Sequence, residues 1–204
     1  ISGAMYLSEK IFNPNGGALT QFNKFNPFAR LAYLVTPPEK RLSGEIEDRV
    51  NILAMGIGGE NHEGPYLTDT MIIISVKPST GEVGLISLPR DLVVKYKDGG
   101  WYKINQIYSM GRTTAIEQGA EDIVNTVEKN LGAPIHYYGI ITFSGFEKFI
   151  DEIGGITVNV PASFYDPLFP TKDFKTQNVT FEAGPQIMDG ATALIYARSR
   201  HGDN

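Results

Sequence analysis

The sequence predicts an α/β sandwich with a mixed sheet. Three observations carry this: short β-branched runs bounded by turn residues, segments of helical periodicity set between them, and one pair of runs joined tightly enough to form an antiparallel hairpin. Asn51 to Ile57 (NILAMGI) is a continuous apolar run that ends in glycines, which suits a strand buried on both faces of a sheet. Thr70 to Val76 (TMIIISV) is a second strand. It stops at the turn cluster Lys77-Pro78-Ser79-Thr80-Gly81, and Glu82 to Leu88 resumes as its hairpin partner. Leu92 to Lys97 reads as a further strand before the Asp98-Gly99-Gly100 turn.

Helices follow. Between Ala115 and Leu131 the apolar residues Ile116, Ala120, Ile123, Val124, Val127 and Leu131 recur at helical spacing, and Gly132 and Pro134 end the run. Tyr138 to Phe143 is a candidate buried strand, after which Ser144 is placed to cap the helix FEKFIDEI, closed by Gly154-Gly155. Ile156 to Val160 alternates like a strand, Phe164 to Asn178 reads as a polar and aromatic loop, and Asp189 caps a last helix, GATALIYARS.

The chain has 204 residues, enough for one large domain or a domain with an appendage. Residues 1–48 differ from the rest, with NPNGG, several aromatics and Pro37-Pro38. They read as a membrane-proximal arm with a short helix around Phe25 to Leu34, and residues 49–204 as the main folded domain. The opening ISGAMYLSEKIF reads as the last turns of a helix that starts earlier, or as an expression scar. RSRHGDN stops directly after a helix, so both ends are expected to be cut. No run of about 18 apolar residues occurs. A net charge of −5, from 18 basic and 23 acidic residues, argues against nucleic acid as the main partner. The absence of cysteine excludes disulfides and thiolate chemistry.

Several familiar chemistries fail on spacing. GIGGENHEG lacks both GxxxxGK[ST] and GxGxxG, no GxSxG elbow occurs, and His62-Glu63 has no second histidine at zinc spacing. The better constellation is distributed: Asp69 at the start of a strand, Arg90 where Pro89 ends one, Lys103 in YKINQIY, and Arg198 and Arg200 at the close of the last helix. Each alone has an ordinary structural explanation as a turn, cap or solvated residue. Two residues apart on a helix, Arg198 and Arg200 would point about 200° apart, so they face one ligand only if the helix ends between them. Arginines at element ends with one aspartate suit a di-anion with a divalent metal, because guanidinium groups match phosphate oxygens and carboxylates hold Mg²⁺.

The segments NILAMGIGG, LTDTMIIISVKPSTGEVGLISLPRDLVV, YKINQIYSMG, FSGFEKFIDEIGGITVNVP and ALIYARSRHGDN, in this order from about Val50 to Asn204, resemble the LytR–CpsA–Psr (LCP) family. The resemblance implies a three-layer α/β/α sandwich around a mixed central β-sheet. It implies a protein held by an N-terminal membrane helix on the extracytoplasmic face of a bacterial membrane. The implied activity is a phosphotransferase that moves a glycan polymer from a polyprenyl pyrophosphate carrier to peptidoglycan or another wall acceptor. By motif position Asp69 matches the family's magnesium-associated aspartate and Arg90 its catalytic arginine. Arg198 and Arg200 match the pyrophosphate-binding pair, and Lys103 a basic residue near the same phosphates. Asp91 is expected to orient Arg90.

Two positions depart from the family pattern. Gly58 stands where an aspartate is usual and Leu67 where an arginine is, with Glu60 and Glu63 as candidate replacements for the carboxylate. The DFGR-like continuation does not occur. Phe146, Phe149 and Ile150 are candidate lining for a lipid channel, with core packing the commoner role for such residues. Rival readings are a non-catalytic carrier-binding module, a lipid pyrophosphatase and a transcription regulator. The last is disfavoured by the acidic balance and the lack of a basic recognition helix.

Overall fold

The structure is a computed structural model that describes residues 42–60, 62–171 and 175–199. The short helix expected around Phe25 to Leu34, and nearly all of the arm, lie outside the described residues. The fold is of the α/β class with a mixed central sheet, as the sequence predicts. The chain divides into two compact units, one comprising residues 42–56 and 67–140, the other residues 57–66 and 141–199.

The first unit is built on a four-stranded sheet of order β3-β2-β1-β6, with β1 at Val50–Ile57, β2 at Thr68–Lys77, β3 at Glu82–Ser87 and β6 at Tyr137–Thr142. In β1, Leu53, Met55 and Ile57 are buried, while Ile52, Ala54 and Gly56 are only half-buried. The expectation of burial on both faces is therefore half met: one face is closed and the other partly covered. The residues of β6 are likewise half-buried or exposed rather than buried. β2 and β3 form the expected antiparallel hairpin, with Ile72 opposite Ser87 and Lys77 opposite Glu82. Its turn closes when Gly81 N–H donates to the Lys77 carbonyl at 2.8 Å, with Gly81 at φ 74°, a conformation natural to glycine.

A second, two-stranded ribbon pairs β4 (Val93–Lys95) with β5 (Trp101–Lys103). Two helices follow, α1 at Ile104–Arg112 and α2 at Ile116–Leu131. α2 is the predicted helix, ended by Gly132 at φ 67°. α1 is absent from the sequence prediction although Ile104, Ile107, Tyr108 and Gly111 are buried at helical spacing. The two helices meet through glycines. A Cβ on Gly111 would lie 2.8 Å from the Gly119 Cα, and one on Gly119 would lie 2.6 Å from the Tyr108 carbonyl oxygen.

In the second unit α3 (Phe143–Glu152) is capped by Thr142, whose hydroxyl accepts from Gly145 N–H at 3.0 Å. Ser144, the expected cap, lies inside the helix. The chain enters helical geometry two residues earlier because Thr142 is still extended, at φ −83° and ψ 165°, and its side chain reaches the orphan N–H three residues on. β7 (Ile156–Val160) pairs antiparallel with β10 (Gly184–Met188). The predicted loop from Phe164 to Asn178 is instead largely a hairpin of β8 (Phe164–Pro170) with β9 (Thr176–Phe181). A register shift between Asp166 and Phe169 breaks the two-residue period, and Pro167 and Pro170 hide the strand from propensity.

α4 (Gly190–Arg198) starts as expected at Asp189, whose carboxylate accepts from Thr192 N–H at 2.8 Å. Gly190 packs against the Glu147 backbone where no side chain would fit, and its N–H donates to Asp151 at 2.7 Å. Ile150, Val160, Phe181, Met188 and Ala193 form this unit's core, with Phe146 and Phe149 packed against it. The core role of Phe146, Phe149 and Ile150 is thus the one observed.

Candidate active site

The first unit presents a chain of alternating charges. β3 ends at Ser87, and the buried Leu88 continues its pairing by donating N–H to the Met71 carbonyl at 2.9 Å. Pro89 then ends the ladder and opens a turn closed by Leu92 N–H at 2.9 Å. The first turn of α1 pins this turn: Ile104 N–H donates to the Leu92 carbonyl at 2.8 Å and Asn105 N–H to the Arg90 carbonyl at 3.3 Å. Orphan helix donors thereby hold the backbone beneath Arg90.

Arg90 Nη1 donates to Asp69 Oδ1 at 2.9 Å, and its Nε stands 3.6 Å from Asp91 Oδ2. Lys103 Nζ donates to Asp91 Oδ1 at 2.6 Å. Asp69, Arg90, Asp91 and Lys103 therefore form one line of alternating sign. All four side chains are a third or more exposed, Asp69 least at 34 %. The Lys103 hydrogen bond, with Lys103 and Arg90 charges adding to it, holds the Asp91 carboxyl below the usual carboxylate range. Arg90 Nη2 pairs with no described residue, which leaves donors for an incoming anion. Thr68 and Asn105 lie buried beside these elements, and the Asn105 side-chain oxygen is buried with no hydrogen-bond partner among the described residues.

The resemblance implies a divalent metal beside Asp69. Among the described residues no group of three or more His, Cys, Asp or Glu side chains stands close enough to hold an ion. Asp69 has Oδ1 on Arg90 and no described partner on Oδ2. One such carboxylate fits a magnesium ion that takes its other ligands from substrate phosphates and water. Gly58 has a local reason of its own: a Cβ there would lie 2.8 Å from His62 Cβ. The loop it opens is closed on itself by Gly59 N–H to Pro65 at 2.9 Å. An aspartate at position 58 would have to reshape this loop.

In the second unit α4 ends at Arg198, and Ser199 follows in an extended conformation at ψ 128°. The helix thus ends between the two arginines, the condition for both to serve one ligand. Arg200 itself lies outside the described residues. The Arg198 guanidinium stacks on Phe143, 4.5 Å from the ring centroid, and on Phe169 at 5.2 Å. Phe143 in turn takes His62 edge-on, with centroids 4.8 Å apart. The sequence reading missed this aromatic seat. Its residues come from the start of α3 and from β8, and no spacing in the sequence connects them.

Comparison with known proteins bears directly on these features. The LytR_cpsA_psr family profile matches residues 27–204. The polyisoprenyl-teichoic acid–peptidoglycan teichoic acid transferase TagU of Oceanobacillus iheyensis is 31% identical over 206 residues, covering 100% of this chain and 58% of that protein. The crystal structure of Bacillus subtilis TagV is 34% identical with a TM-score of 0.61, over 76% of this chain and 58% of that one. Bacillus subtilis TagT with bound octaprenyl pyrophosphate lipid is 26% identical with a TM-score of 0.60, over 81% of this chain and 62% of that one. The chain spans less than two thirds of the length of these relatives. With a family profile covering most of its length and relatives sharing its fold, the chain belongs to the LytR–CpsA–Psr family.

Proposed function

We propose that this chain is the phosphate-handling part of a phosphotransferase that moves a glycan polymer from a polyprenyl pyrophosphate carrier to peptidoglycan. The observation that carries this reading is the Asp69–Arg90–Asp91–Lys103 line, which holds an arginine at a strand end with unused donors. TagT, a relative of the same fold, is known with octaprenyl pyrophosphate bound. In the proposed reaction a sugar hydroxyl attacks the glycan-bearing phosphorus, a new P–O bond forms, the pyrophosphate bridge breaks and polyprenyl phosphate leaves. Negative charge builds on the equatorial and leaving oxygens.

Arg90 meets that charge with Nη2 while Asp69 and Asp91 fix its orientation, so its position is set before substrate arrives. Lys103 adds a second cation. Arg198, set over the rings of Phe143 and Phe169, and Arg200 are assigned to pyrophosphate binding. A magnesium ion held by Asp69 would neutralise phosphate charge. The work is assigned to the extracytoplasmic face of the bacterial membrane, with an N-terminal anchor. Among the described residues no helix is long and apolar enough to cross a membrane.

The test is release of polyprenyl phosphate from a short-chain polyprenyl-pyrophosphoryl saccharide in Mg²⁺, with and without peptidoglycan fragments. Acceptor-stimulated release is expected in the wild type. Arg90→Ala should lower it by a factor on the order of 10²–10³, as loss of a charge-stabilising donor does elsewhere. Release indifferent to acceptor would replace the transferase by a pyrophosphatase. Binding without release would leave a carrier-binding module.

A further inference from the structure

The β4–β5 ribbon has two unlike faces. Val94 is buried and Tyr102 half-buried on one face, where Tyr102 meets Tyr96 edge-on at 6.0 Å. On the other face Val93 lies opposite Lys103 and Lys95 opposite Trp101, all four exposed. Trp101 is the chain's single tryptophan and is 67% exposed. A solvated indole is a large apolar plane left without cover, and such side chains are enriched where a partner docks.

The ribbon is held rigidly. Asn130 on α2 donates to the Lys95 carbonyl and accepts from the Lys95 N–H, both at 3.0 Å, and Tyr96 N–H donates to Gly100 at 2.9 Å. A platform already ordered loses little entropy on binding. It is also continuous with the candidate active site, because Lys103 belongs to both. Two residues along a strand carry it about 7 Å further, to the Trp101–Lys95 pair.

From this geometry we propose that the face formed by Val93, Lys95, Trp101 and Lys103 docks the glycan strand of the peptidoglycan acceptor. The inference rests on the function proposed above. Its chemistry selects that occupant. The C–H face of a pyranose ring packs on an indole plane, and a carboxylate of a peptide-bearing glycan strand matches Lys95 opposite Trp101. Lys103 stays on Asp91 at 2.6 Å and marks the edge toward the phosphates. An acyclic polyol-phosphate chain offers charge but no ring to stack.

The sole tryptophan makes the test direct. Its emission would be followed while wild-type protein is titrated with soluble uncrosslinked glycan-strand fragments, neutral chitin oligosaccharides or poly(glycerol phosphate). A saturable shift is expected with the glycan-strand fragments, a weaker one with the neutral oligosaccharide, and none with the polyol phosphate. In the transfer assay Trp101→Ala should raise the acceptor KM about tenfold, the size of a lost aromatic contact, with the effect on KM rather than kcat. Trp101→Phe should restore most of it, and Lys95→Glu should raise KM again. Circular dichroism would check that the variants fold.

No emission change with glycan-strand fragments, a stronger response to poly(glycerol phosphate), or an unchanged KM in Trp101→Ala would overturn the platform. If acceptor stimulation is intact and depends on Arg90 while Trp101→Ala is silent, the platform alone falls. If wild-type turnover ignores acceptor altogether, the transferase reading falls with it.

Discussion

At the level of single residues, Asp91 links the two cations that the proposed chemistry uses. Its carboxylate holds Lys103 at 2.6 Å and faces Arg90 at 3.6 Å. Asp91→Asn keeps the shape but removes the charge, so both cations lose a fixed partner. The expected result is a fall in kcat/KM of about tenfold, the scale seen when a supporting group rather than a contacting one is lost. A fall as deep as that of Arg90→Ala would instead mean that Asp91 meets the substrate. Arg198 offers a parallel case. Phe143→Leu removes one of its two aromatic faces, and a contact of about 0.5–2 kcal/mol predicts several-fold weaker binding of a polyprenyl pyrophosphate by calorimetry. Arg90 stood out in the sequence because a charged residue that interrupts an apolar run demands an explanation. Asp69 and Lys103, ordinary as single residues, drew notice through the family resemblance. The structure joins Asp69 to Arg90 directly and Lys103 to it through Asp91. Phe143 and Phe169 were not, because an aromatic residue at the start of a helix or within a strand is indistinguishable from core until the chain is folded.

Elements show the same division. Strands with an apolar run bounded by turn residues (β1, β2) and the helix with sustained periodicity (α2) could be read from sequence, although the continuous runs of β1 and β2 hid the alternating burial that the structure shows. α1 escaped because its apolar positions begin inside the YKIN segment, whose lysine and asparagine look like a loop. Asn105 is nonetheless buried there, its backbone N–H bound to Arg90. β8 escaped because its bulge shifts the period. The cap of α3 supplies a measurable distinction. Thr142→Ala deletes the acceptor for Gly145 N–H and should cost about 1 kcal/mol in chemical denaturation. Ser144→Ala loses only a hydroxyl contact to Thr142 at 3.1 Å and should change stability far less. Equal losses would return the cap to Ser144.

For the molecule as a whole, pH sensitivity should centre on one buried carboxylate. Asp122 is 4% exposed on α2 and accepts from Tyr96, Lys97 and Gln118, Lys97 Nζ reaching its two oxygens at 2.9 and 2.7 Å. Burial pushes its carboxyl up, but the hydrogen bonds from Lys97, Tyr96 and Gln118 together outweigh burial and leave it below the ordinary 3.8. A depressed carboxyl gives stability that is present above 3.8 and disappears as pH falls through the lower folded value. Lys97→Met removes the strongest of those donors, so the folded pKa rises and acid unfolding should begin at higher pH. Tryptophan fluorescence against pH would follow it, and an unmoved acid midpoint would assign the effect elsewhere. The glycine contact between α1 and α2 also sets an order of events in time. Only residues 113–115 separate these helices, whereas β6 must return across α1 and α2 to lie beside β1. Closing the short loop first is entropically cheap, which favours the helix pair as an early nucleus. Ile107→Val and Ile123→Val should therefore slow refolding, while Ile140→Val in β6 should mainly hasten unfolding in stopped-flow measurements. α1, which holds the Arg90 turn from below, would then be in place with α2 before the sheet around that turn is complete.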